Sequence, residues 1–477
     1  MTAQELSYTS YIGGSWTPPA AGAEEIVSTN PYRPAETIAT AQAAAPGDVA
    51  RAVEAARRES RAWAGTDPAV RSARLLAFAD ALRDDGEALA VLLAREVGKP
   101  LAEARAEVSV AESVTRYYSA HLMMAEGETF PAPGPNLSYT QRGPAGVVAV
   151  ITPFNFPLSI PVWKLVPALA YGCTVVWKPA PATVGLAGRI IAALERAGLA
   201  AAVSLVHGGG PVAGQLMDGG VDAVTFTGST PAGQSVAMKC LQRGIRYQCE
   251  MGGVNATVVL RDADLEAAAR GCAAAAFGYA GQKCTATRRL IVDRPVWDQF
   301  LAALAAVMAD FTLGDPLDAG TAAGPLISRA QAALVRDKLA AYGPALVRRS
   351  APAGDGYWSD LAVVGPVPPP AVPGLEEIFG PVAAAIAVDG LAEAISVTNT
   401  GPFGLAAAVY TRSLDSALAF AGQARAGLVR VNRTTTGLDY AVPFGGEGRS
   451  GLGPKELGTA AREFFTTSRT VWLGASG

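Results

Sequence analysis

Short apolar segments alternate with helical segments through the middle of the chain, and this alternation restricts the possible folds more than any other feature. Apolar runs cover 146–152, 174–178, 203–207 and 222–226, and helical stretches cover 160–170, 184–197, 212–217 and 232–241. Apolar strands without polar alternation are typical of a parallel sheet that is covered on both faces. The pattern therefore predicts a doubly wound α/β domain, in which ligands bind outside the carboxyl ends of the strands.

The regions on either side of this domain have patterns of their own. Short strands and turns are predicted over 11–45, and amphipathic helices start near 46, 68, 87 and 100. A second alternating region begins at 252. Its predicted strands are 256–260, 290–292, 383–388, 406–410 and 428–431, and its predicted helices are 264–279, 296–311, 329–342 and 414–424. The tail at 463–473 alternates like an exposed strand with no partner of its own, and such an open edge favours pairing with another subunit.

Composition excludes several classes of partner. The net charge of −3 gives no reason to expect nucleic acid or an anionic membrane. The most apolar region, 146–198, is interrupted by Lys164, Lys178 and prolines, so it is not a membrane span. The start of the chain lacks a signal-peptide pattern, and the five cysteines form no Cys-x-x-Cys pair. We therefore expect a reduced, cytoplasmic setting and, with two histidines, no metal site.

Three polar residues are candidates for chemistry. Cys284 lies on a turn, 281–287, between a small-residue helix and a strand-like run, and a thiolate there would be a nucleophile. Glu250 precedes two glycines and suits a general base. Asn155 lies between two aromatic residues and suits an oxyanion donor. The alternatives are a buried structural cysteine, a solvated loop glutamate and a turn-forming asparagine.

A glycine-rich turn follows the fourth apolar run. In the segment 226–233, Ser229 or Thr230 can cap the next helix, and Pro231 suits its first turn. Gly228 lets a ligand approach the backbone closely. Free N–H groups at a helix start favour a phosphate or pyrophosphate. The alternative is a purely structural turn, but the βαβ context favours the phosphate site.

Seven motifs stand in a fixed order along the chain: Thr152-Pro-Phe-Asn-Phe-Pro-Leu158, Lys178-Pro-Ala180, Phe226-Thr-Gly-Ser229, Glu250-Met-Gly-Gly253, Gly281-Gln-Lys-Cys284, Glu377-Ile-Phe-Gly-Pro381 and Pro443-Phe-Gly-Gly446. Together they resemble the aldehyde dehydrogenase superfamily over nearly the whole chain. The resemblance implies an α/β fold with a Rossmann-like cofactor domain, an α/β catalytic domain and a small β bridging element that builds oligomers. These would be a nucleotide-binding domain at 1–123 and 145–249, a bridging element at 124–144 and 463–477, and a catalytic domain at 250–462.

The resemblance also implies a role for each candidate residue. Cys284 would attack an aldehyde carbonyl, while Asn155 and the Cys284 backbone N–H hold the oxyanion. After hydride passes to a nicotinamide, Glu250 would activate the water that hydrolyses the thioester. Lys164 and Glu456 would relay the proton.

The implied cofactor is NADP or NAD. Lys178 and Glu377 would hold ribose hydroxyls, Ser229 the pyrophosphate and Phe379 the nicotinamide end. The remaining cofactor contacts would be Thr152, Pro153, Phe154, Ala180, Pro181 and Gly228. In many NAD-preferring relatives a glutamate stands where this chain has Pro181, and a glutamate would repel a 2′-phosphate. Its absence slightly favours NADP.

The substrate side resembles most closely the branch of 2,5-dioxovalerate (α-ketoglutaric semialdehyde) dehydrogenases. Arg288 departs from that branch, which usually has a small polar residue there, and Trp163 stands where succinate-semialdehyde enzymes place an arginine. Pocket residues are expected at Phe156, Trp163, Lys283, Thr285 and Phe444. The resemblance favours an ω-carboxylated small-molecule aldehyde, while Phe156 and Trp163 equally suit an apolar or aromatic one.

Two other functions remain open. One is a CoA-acylating dehydrogenase, against which Glu250 argues because it favours water as acceptor. The other is a non-catalytic, crystallin-like protein. The expected assembly of the chain is a homodimer or homotetramer, because the tail strand has no evident partner of its own.

Overall fold

The computed structural model describes residues 6–19, 21–124, 127–134, 136–368, 371 and 375–474. The parts of the predicted domains at 1–5, 20, 125–126, 135, 369–370, 372–374 and 475–477 lie outside the described residues. The first elements are the strands β1 (Leu6–Tyr8), β2 (Tyr11–Ile12), β3 (Ser15–Trp16), β4 (Glu25–Thr29) and β5 (Thr37–Gln42), followed by the helices α1 (Pro46–Ala64), α2 (Pro68–Asp84), α3 (Gly86–Val97) and α4 (Leu101–His121). Prolines in the first turns of α1 and α2 fit helix starts, because the N–H that proline lacks has no partner there.

The first large sheet contains the four apolar runs. After β6 (Thr129–Phe130) and β7 (Leu137–Pro144), the chain continues through β8 (Val147–Ile151), α5 (Ser159–Ala170), β9 (Thr174–Lys178), α6 (Val184–Arg196), β10 (Val203–Leu205), α7 (Gly210–Asp218), β11 (Ala223–Thr227), α8 (Thr230–Arg243) and β12 (Arg246–Glu250). Five of these strands are parallel in the order β12-β11-β8-β9-β10. The first strand, β8, lies between β9 and β11, so the strand order reverses beside it and a ligand crevice is expected there.

The second large sheet is built by the next part of the chain: β13 (Asn255–Val259), α9 (Leu265–Phe277), β14 (Thr287–Asp293), α10 (Trp297–Ala309), α11 (Arg329–Tyr342), β15 (Ala345–Arg349), β16 (Leu361–Val364), β17 (Val382–Val388), α12 (Leu391–Thr398), β18 (Phe403–Gly404), β19 (Ala406–Tyr410), α13 (Leu414–Gln423) and β20 (Leu428–Val431). Its order is β15-β16-β17-β14-β13-β19-β20, with β15 antiparallel to its neighbour and the other strands parallel. Every residue of β13, β14 and β19 is buried, as expected for a parallel sheet with helices on both faces.

The last elements connect the two sheets and form a third. They are β21 (Glu447–Gly448), β22 (Gly451–Leu452), α14 (Gly458–Phe465) and β23 (Thr466–Leu473). Strand β22 pairs with β12, so this part of the chain returns to the first sheet. Strand β23 pairs with β7 in a small antiparallel sheet of the order β23-β7-β6.

The α/β class is confirmed. Eight of the nine predicted parallel strands lie within two residues of their predicted bounds, whereas β14 begins three residues before its predicted start and the parallel strand β16 was not predicted. Two other predictions were wrong in detail. The tail strand begins at Thr466 because 463–465 form the last turn of α14, and the strand is not without a partner, since all eight of its residues pair with β7. The helix predicted through 279 ends at Phe277, because Tyr279 and Ala280 adopt left-handed backbone conformations with φ of 53° and 49°.

No helix in the described ranges has both the length and the apolar character required to cross a bilayer. The buried residues of the first half form clusters on both faces of the first sheet, and those of the second half do the same around the second sheet. The cleft between the sheets therefore has rigid walls.

Candidate active site

A cavity of about 840 Å³ opens at the carboxyl ends of β8, β9 and β11. Its volume lies within the ~300–1,000 Å³ range of cofactor and ligand sites. Cys284 and Asn155 line it, together with all ten residues predicted to bind cofactor: Thr152, Pro153, Phe154, Lys178, Ala180, Pro181, Gly228, Ser229, Glu377 and Phe379. The fold therefore brings the predicted cofactor residues and two of the predicted catalytic residues to one cleft.

Lys178 and Pro181 line the cavity together with Gly209 and Gly210, which begin α7. The Lys178 ammonium donates to the carbonyls of Pro179 at 2.8 Å and Gly208 at 2.9 Å, and burial lowers the pKa of Lys178 to about 8. Two carbonyls leave one ammonium proton for a ligand. This part of the cleft thus offers one partly desolvated cation to a ribose or phosphate group.

The start of α8 forms another part of the cavity wall. Ser229 occupies the N-cap position of α8, but its side chain makes no capping hydrogen bond. A Cβ on Gly228 would overlap the ring of Phe226, so only glycine fits this turn. The N–H groups of the first turn of α8 suit a pyrophosphate, as the sequence predicts.

Glu377 and Phe379 line the same cavity as Cys284. Glu377 Oε1 accepts a hydrogen bond from the Gly253 N–H at 3.1 Å, and a Cβ on Gly252 would overlap this carboxylate. The rings of Phe154 and Phe379 pack edge to face with centroids 5.9 Å apart. Burial raises the pKa of Glu377, while Arg288 and the Gly253 N–H act against that rise. A carboxylate beside an aromatic pair suits a ribose that carries a flat ring.

The turn that carries Cys284 is held from both sides. The Asn255 amide nitrogen donates to the carbonyls of Cys284 and Ala286, both at 2.8 Å, and its oxygen accepts from the Ala406 N–H at 2.9 Å. The preceding residue in left-handed conformation, Tyr279, is anchored by a 3.1 Å hydrogen bond from its hydroxyl to the Val97 carbonyl. Strained backbone of this kind persists where surrounding contacts determine it.

The Cys284 thiol lies in a cleft that disfavours its anion. Burial raises the pKa of Cys284 to about 12, and the carboxylates of Glu377 and Glu250 add to the rise. The N–H groups of Thr285 and of Cys284 itself lower it. Since the other four cysteines are fully buried, Cys284 is the free cysteine with access to the cleft. The thiol is therefore neutral at rest and must lose its proton as it reacts.

Asn155 is held in place by hydrogen bonds of both its side chain and its main-chain carbonyl. Its side-chain amide donates to the Gln282 carbonyl at 3.0 Å, and its own carbonyl accepts from Lys99 Nζ at 2.8 Å. Lys99 is fully buried, forms an ion pair with Glu107 of α4 and lies 3.8 Å from the centroid of the Phe156 ring. The Asn155 amide is thus adjacent to the nucleophile turn, as an oxyanion donor requires.

Helix α4 supports both sides of this arrangement. Glu107 Oε1 accepts from the N–H groups of Leu158 at 3.0 Å and Ser159 at 2.9 Å. One turn earlier, Glu103 pairs with Lys283 at 2.7 Å. Because Lys283 precedes the nucleophile, two carboxylates of one helix face fix the oxyanion loop and the nucleophile turn.

Glu250 ends β12 and is buried next to a second carboxylate. Its Oε2 accepts from the Gly446 N–H at 3.0 Å. Burial raises the pKa of Glu250 well above its ordinary value, and Glu456 adds to this, while the Gly446 N–H and Lys164 oppose it. Lys164 forms an ion pair with Glu456. This cluster places a proton acceptor beside a buried acid–base pair.

Four of the five predicted pocket residues have identified neighbours. Trp163 donates its indole N–H to Glu456 at 2.8 Å, and its ring lies 5.8 Å from that of Phe444. Phe156 is covered on one face by Lys99, and Lys283 is paired with Glu103. Thr285 is buried directly after the nucleophile. These positions do not line the large cavity, so the structure separates them from the predicted cofactor residues.

Sequence reasoning missed several residues that build the site. Gly252 and Gln331 line the cavity, and Gln331 donates to the Phe379 carbonyl at 2.9 Å. Asn255, Lys99 and Glu107 hold the catalytic loops. A buried Lys–Glu pair is visible in sequence only as two ordinary charges eight residues apart, whereas the glycine pair at Gly252 is a signal that could have indicated a close approach.

Comparison with known proteins agrees with this geometry. Residues 16–471 match the aldehyde dehydrogenase family. The chain is 38% identical to an α-ketoglutaric semialdehyde dehydrogenase from Bacillus subtilis (98% of this chain, 99% of the relative) and 36% identical to a vanillin dehydrogenase from Corynebacterium glutamicum (97% and 96%). The structure of an NAD-dependent aldehyde dehydrogenase from Sinorhizobium meliloti superimposes with a TM-score of 0.94 at 32% identity, covering 98% of this chain and 95% of that one. The chain therefore belongs to the aldehyde dehydrogenase family and is an NAD(P)-dependent enzyme that oxidises aldehydes.

Proposed function

We propose that Cys284 is the nucleophile, Asn155 the oxyanion donor and Glu250 the hydrolytic base. The Cys284 sulfur adds to the aldehyde carbon, and the thiol proton leaves through Glu250 to Glu456, so that Glu250 is again a carboxylate before hydrolysis. The Asn155 amide and the Cys284 N–H stabilise the charge that develops on the carbonyl oxygen. The observation that carries this proposal is the joint presence of Cys284, Asn155 and the ten predicted cofactor residues in one cavity.

The cleft fits a nicotinamide dinucleotide, which supplies a hydride acceptor when it is bound. Lys178 would hold one ribose and Glu377 the other, with the α8 start at the pyrophosphate and Phe379 at the nicotinamide. Hydrolysis of the acylated Cys284 needs a base that takes a proton from water. Glu250 would take it, and Lys164 and Glu456 would pass it on through their ion pair.

The proposed substrate is a short aldehyde with a carboxylate at its far end. The 38% identity to an α-ketoglutaric semialdehyde dehydrogenase over nearly the full length supports this class. Lys283, next to the nucleophile, would release Glu103 and bind the substrate carboxylate instead. A second candidate, an aromatic aldehyde, is favoured by the Trp163 and Phe444 rings, which offer apolar faces. The polar N–H of the indole is already bonded to Glu456.

A panel of carboxylated, aliphatic and aromatic aldehydes tests the function and the substrate class together. We expect nucleotide reduction with at least one aldehyde and the highest kcat/KM with a carboxylated one. A higher value for aromatic aldehydes would support the second candidate. Absence of nucleotide reduction with every aldehyde would contradict the proposed catalytic roles.

We also propose that the enzyme is a homodimer or homotetramer. Strand β23 is paired on one side only within the described chain, and Trp472 on it is 74% exposed. Phe130 and Leu137, on the neighbouring strands, are exposed as well. An open strand edge with exposed apolar side chains favours pairing between copies. Sedimentation analysis at micromolar concentration should show no monomer.

A further inference from the structure

Arg288 is buried between the two loops that form the reactive end of the cleft. It lies on β14, four residues after the nucleophile, and is 2% exposed. One terminal nitrogen donates to the Gly380 carbonyl and the other to the Gly281 carbonyl. Gly380 follows the cofactor residues Glu377 and Phe379, and Gly281 begins the Cys284 turn. A single guanidinium therefore joins the two loops.

A forked donor suits this contact because it holds both carbonyls in a fixed geometry. The backbones of the two loops already touch, since a Cβ on Gly281 would overlap the Gly380 carbonyl. A planar guanidinium presents parallel N–H groups to two acceptors in fixed geometry, whereas an ammonium is a point donor. Arg288 thereby links the two loops through both of its terminal nitrogens.

The charge of Arg288 indicates a role beyond filling a buried space. Burial lowers the pKa of Arg288 to about 10, while the charges of Glu377 and Cys284 raise it, so the side chain remains a cation near neutral pH. Its terminal nitrogens donate to backbone carbonyls, and within the described residues its Nε has no hydrogen-bond partner. A buried cation with this arrangement is expensive, and its bonds to two active-site carbonyls are the compensation.

We propose that Arg288 is a positioning residue that holds the loop of Glu377 and Phe379 at the distance from Cys284 that hydride transfer requires. This inference rests on the proposed role of Cys284. The adduct on Cys284 must release its hydride across a short, aligned gap. Small misplacements at this gap are costly, with about 1 Å worth roughly a hundredfold in rate.

Two reactions of the same nucleophile separate positioning from folding. Aldehyde oxidation needs both loops. Hydrolysis of an activated ester, such as p-nitrophenyl acetate, acylates Cys284 directly and needs no hydride transfer, so it proceeds without nucleotide. Loss of the loop separation should therefore slow the first reaction and leave the second unchanged.

The test compares Arg288→Ser and Arg288→Lys with the matched control Arg294→Ser, which removes an exposed arginine paired with Asp389. In Arg288→Ser we expect aldehyde oxidation to fall about tenfold, with unchanged nucleotide-free ester hydrolysis. A larger isotope effect should appear with an aldehyde deuterated at the carbonyl carbon. Arg288→Lys should lie between this variant and the wild type, and Arg294→Ser should match the wild type.

Equal losses of both reactions in Arg288→Ser, or no loss of oxidation, would overturn the proposal. The thermal unfolding midpoint of each variant shows whether an equal loss comes from unfolding. If Arg288→Ser is unfolded, the ratio of aldehyde oxidation to ester hydrolysis in Arg288→Lys decides instead. Failure of the underlying site assignment looks different. In that case Cys284→Ala would retain both reactions, whatever Arg288 does.

Discussion

The cofactor side and the substrate side of Cys284 are built from different materials. On the cofactor side, strand ends, helix starts and glycines shape one cavity, and few side chains are charged. On the substrate side, ion pairs and aromatic rings fix the loops: the buried pair of Lys99 with Glu107, the half-buried pair of Lys283 with Glu103, and Trp163 against Phe444. The shape of the cofactor side is determined mainly by the backbone, and therefore by the fold. The shape of the substrate side depends on the individual side chains that form its contacts.

Removal of the nucleophile should have the largest effect. In Cys284→Ala we expect aldehyde oxidation to fall by at least about a thousandfold, because residues that act as a unit lose nearly all catalysis together. Nucleotide affinity, measured by fluorescence titration, should be unchanged because the cofactor side is intact. Cys240→Ala, which alters a buried cysteine elsewhere, is the control. Turnover near the wild-type rate in Cys284→Ala would contradict the assignment.

Asn155→Ala should follow in magnitude. Loss of one oxyanion donor lowers kcat by about a hundredfold to a thousandfold. Ester hydrolysis should fall with aldehyde oxidation, because both develop a charge on the same oxygen. Steady-state assays of the two reactions check this, and oxidation that falls alone would show that Asn155 acts on the cofactor side.

The two ion pairs of α4 should differ in their contribution to stability. Glu107→Gln leaves Lys99 buried without a carboxylate, which should lower the free energy of unfolding by about 3 kcal/mol. Glu103→Gln disrupts a more exposed pair and should cost less than about 1 kcal/mol. Urea denaturation of both variants measures the difference. Equal losses of unfolding free energy in the two variants would show that the buried Lys99–Glu107 pair contributes no more to stability than the Lys283–Glu103 pair.

The choice of nucleotide should shift least. We propose that the enzyme uses NADP at least as readily as NAD, because Pro181 lines the cavity together with Lys178 and carries no charge that would repel a 2′-phosphate. Pro181→Glu should move the ratio of the two kcat/KM values toward NAD by about tenfold. A strong wild-type preference for NAD, or a ratio that does not move in the variant, would show that Pro181 does not set the preference.

Most of the fold and the cofactor side could be predicted from the sequence. Continuous apolar strands and glycine turns are local signals, and eight of the ten predicted cofactor residues lie at the end of such a strand. Glu377 and Phe379 were predicted only from the family resemblance. The Cys284 turn was also visible, but its helix was predicted two residues too long, because left-handed Tyr279 and Ala280 depend on distant contacts with Val97 and Lys99. The role of Arg288 required two loops about a hundred residues apart to meet, which no local pattern shows.

Acylation of Cys284 and its hydrolysis by Glu250 are the central steps of the proposed mechanism. In Glu250→Gln, mixed rapidly with aldehyde and nucleotide, we expect a burst of reduced nucleotide followed by slow turnover, since an amide cannot take a proton from water. Intact mass and peptide mapping should show an acyl group on Cys284. Turnover in the wild type should rise with pH as Glu250, whose pKa is raised by burial, loses its proton, and the variant should lose that rise. Equal slowing of both steps without an adduct on Cys284 would contradict the account.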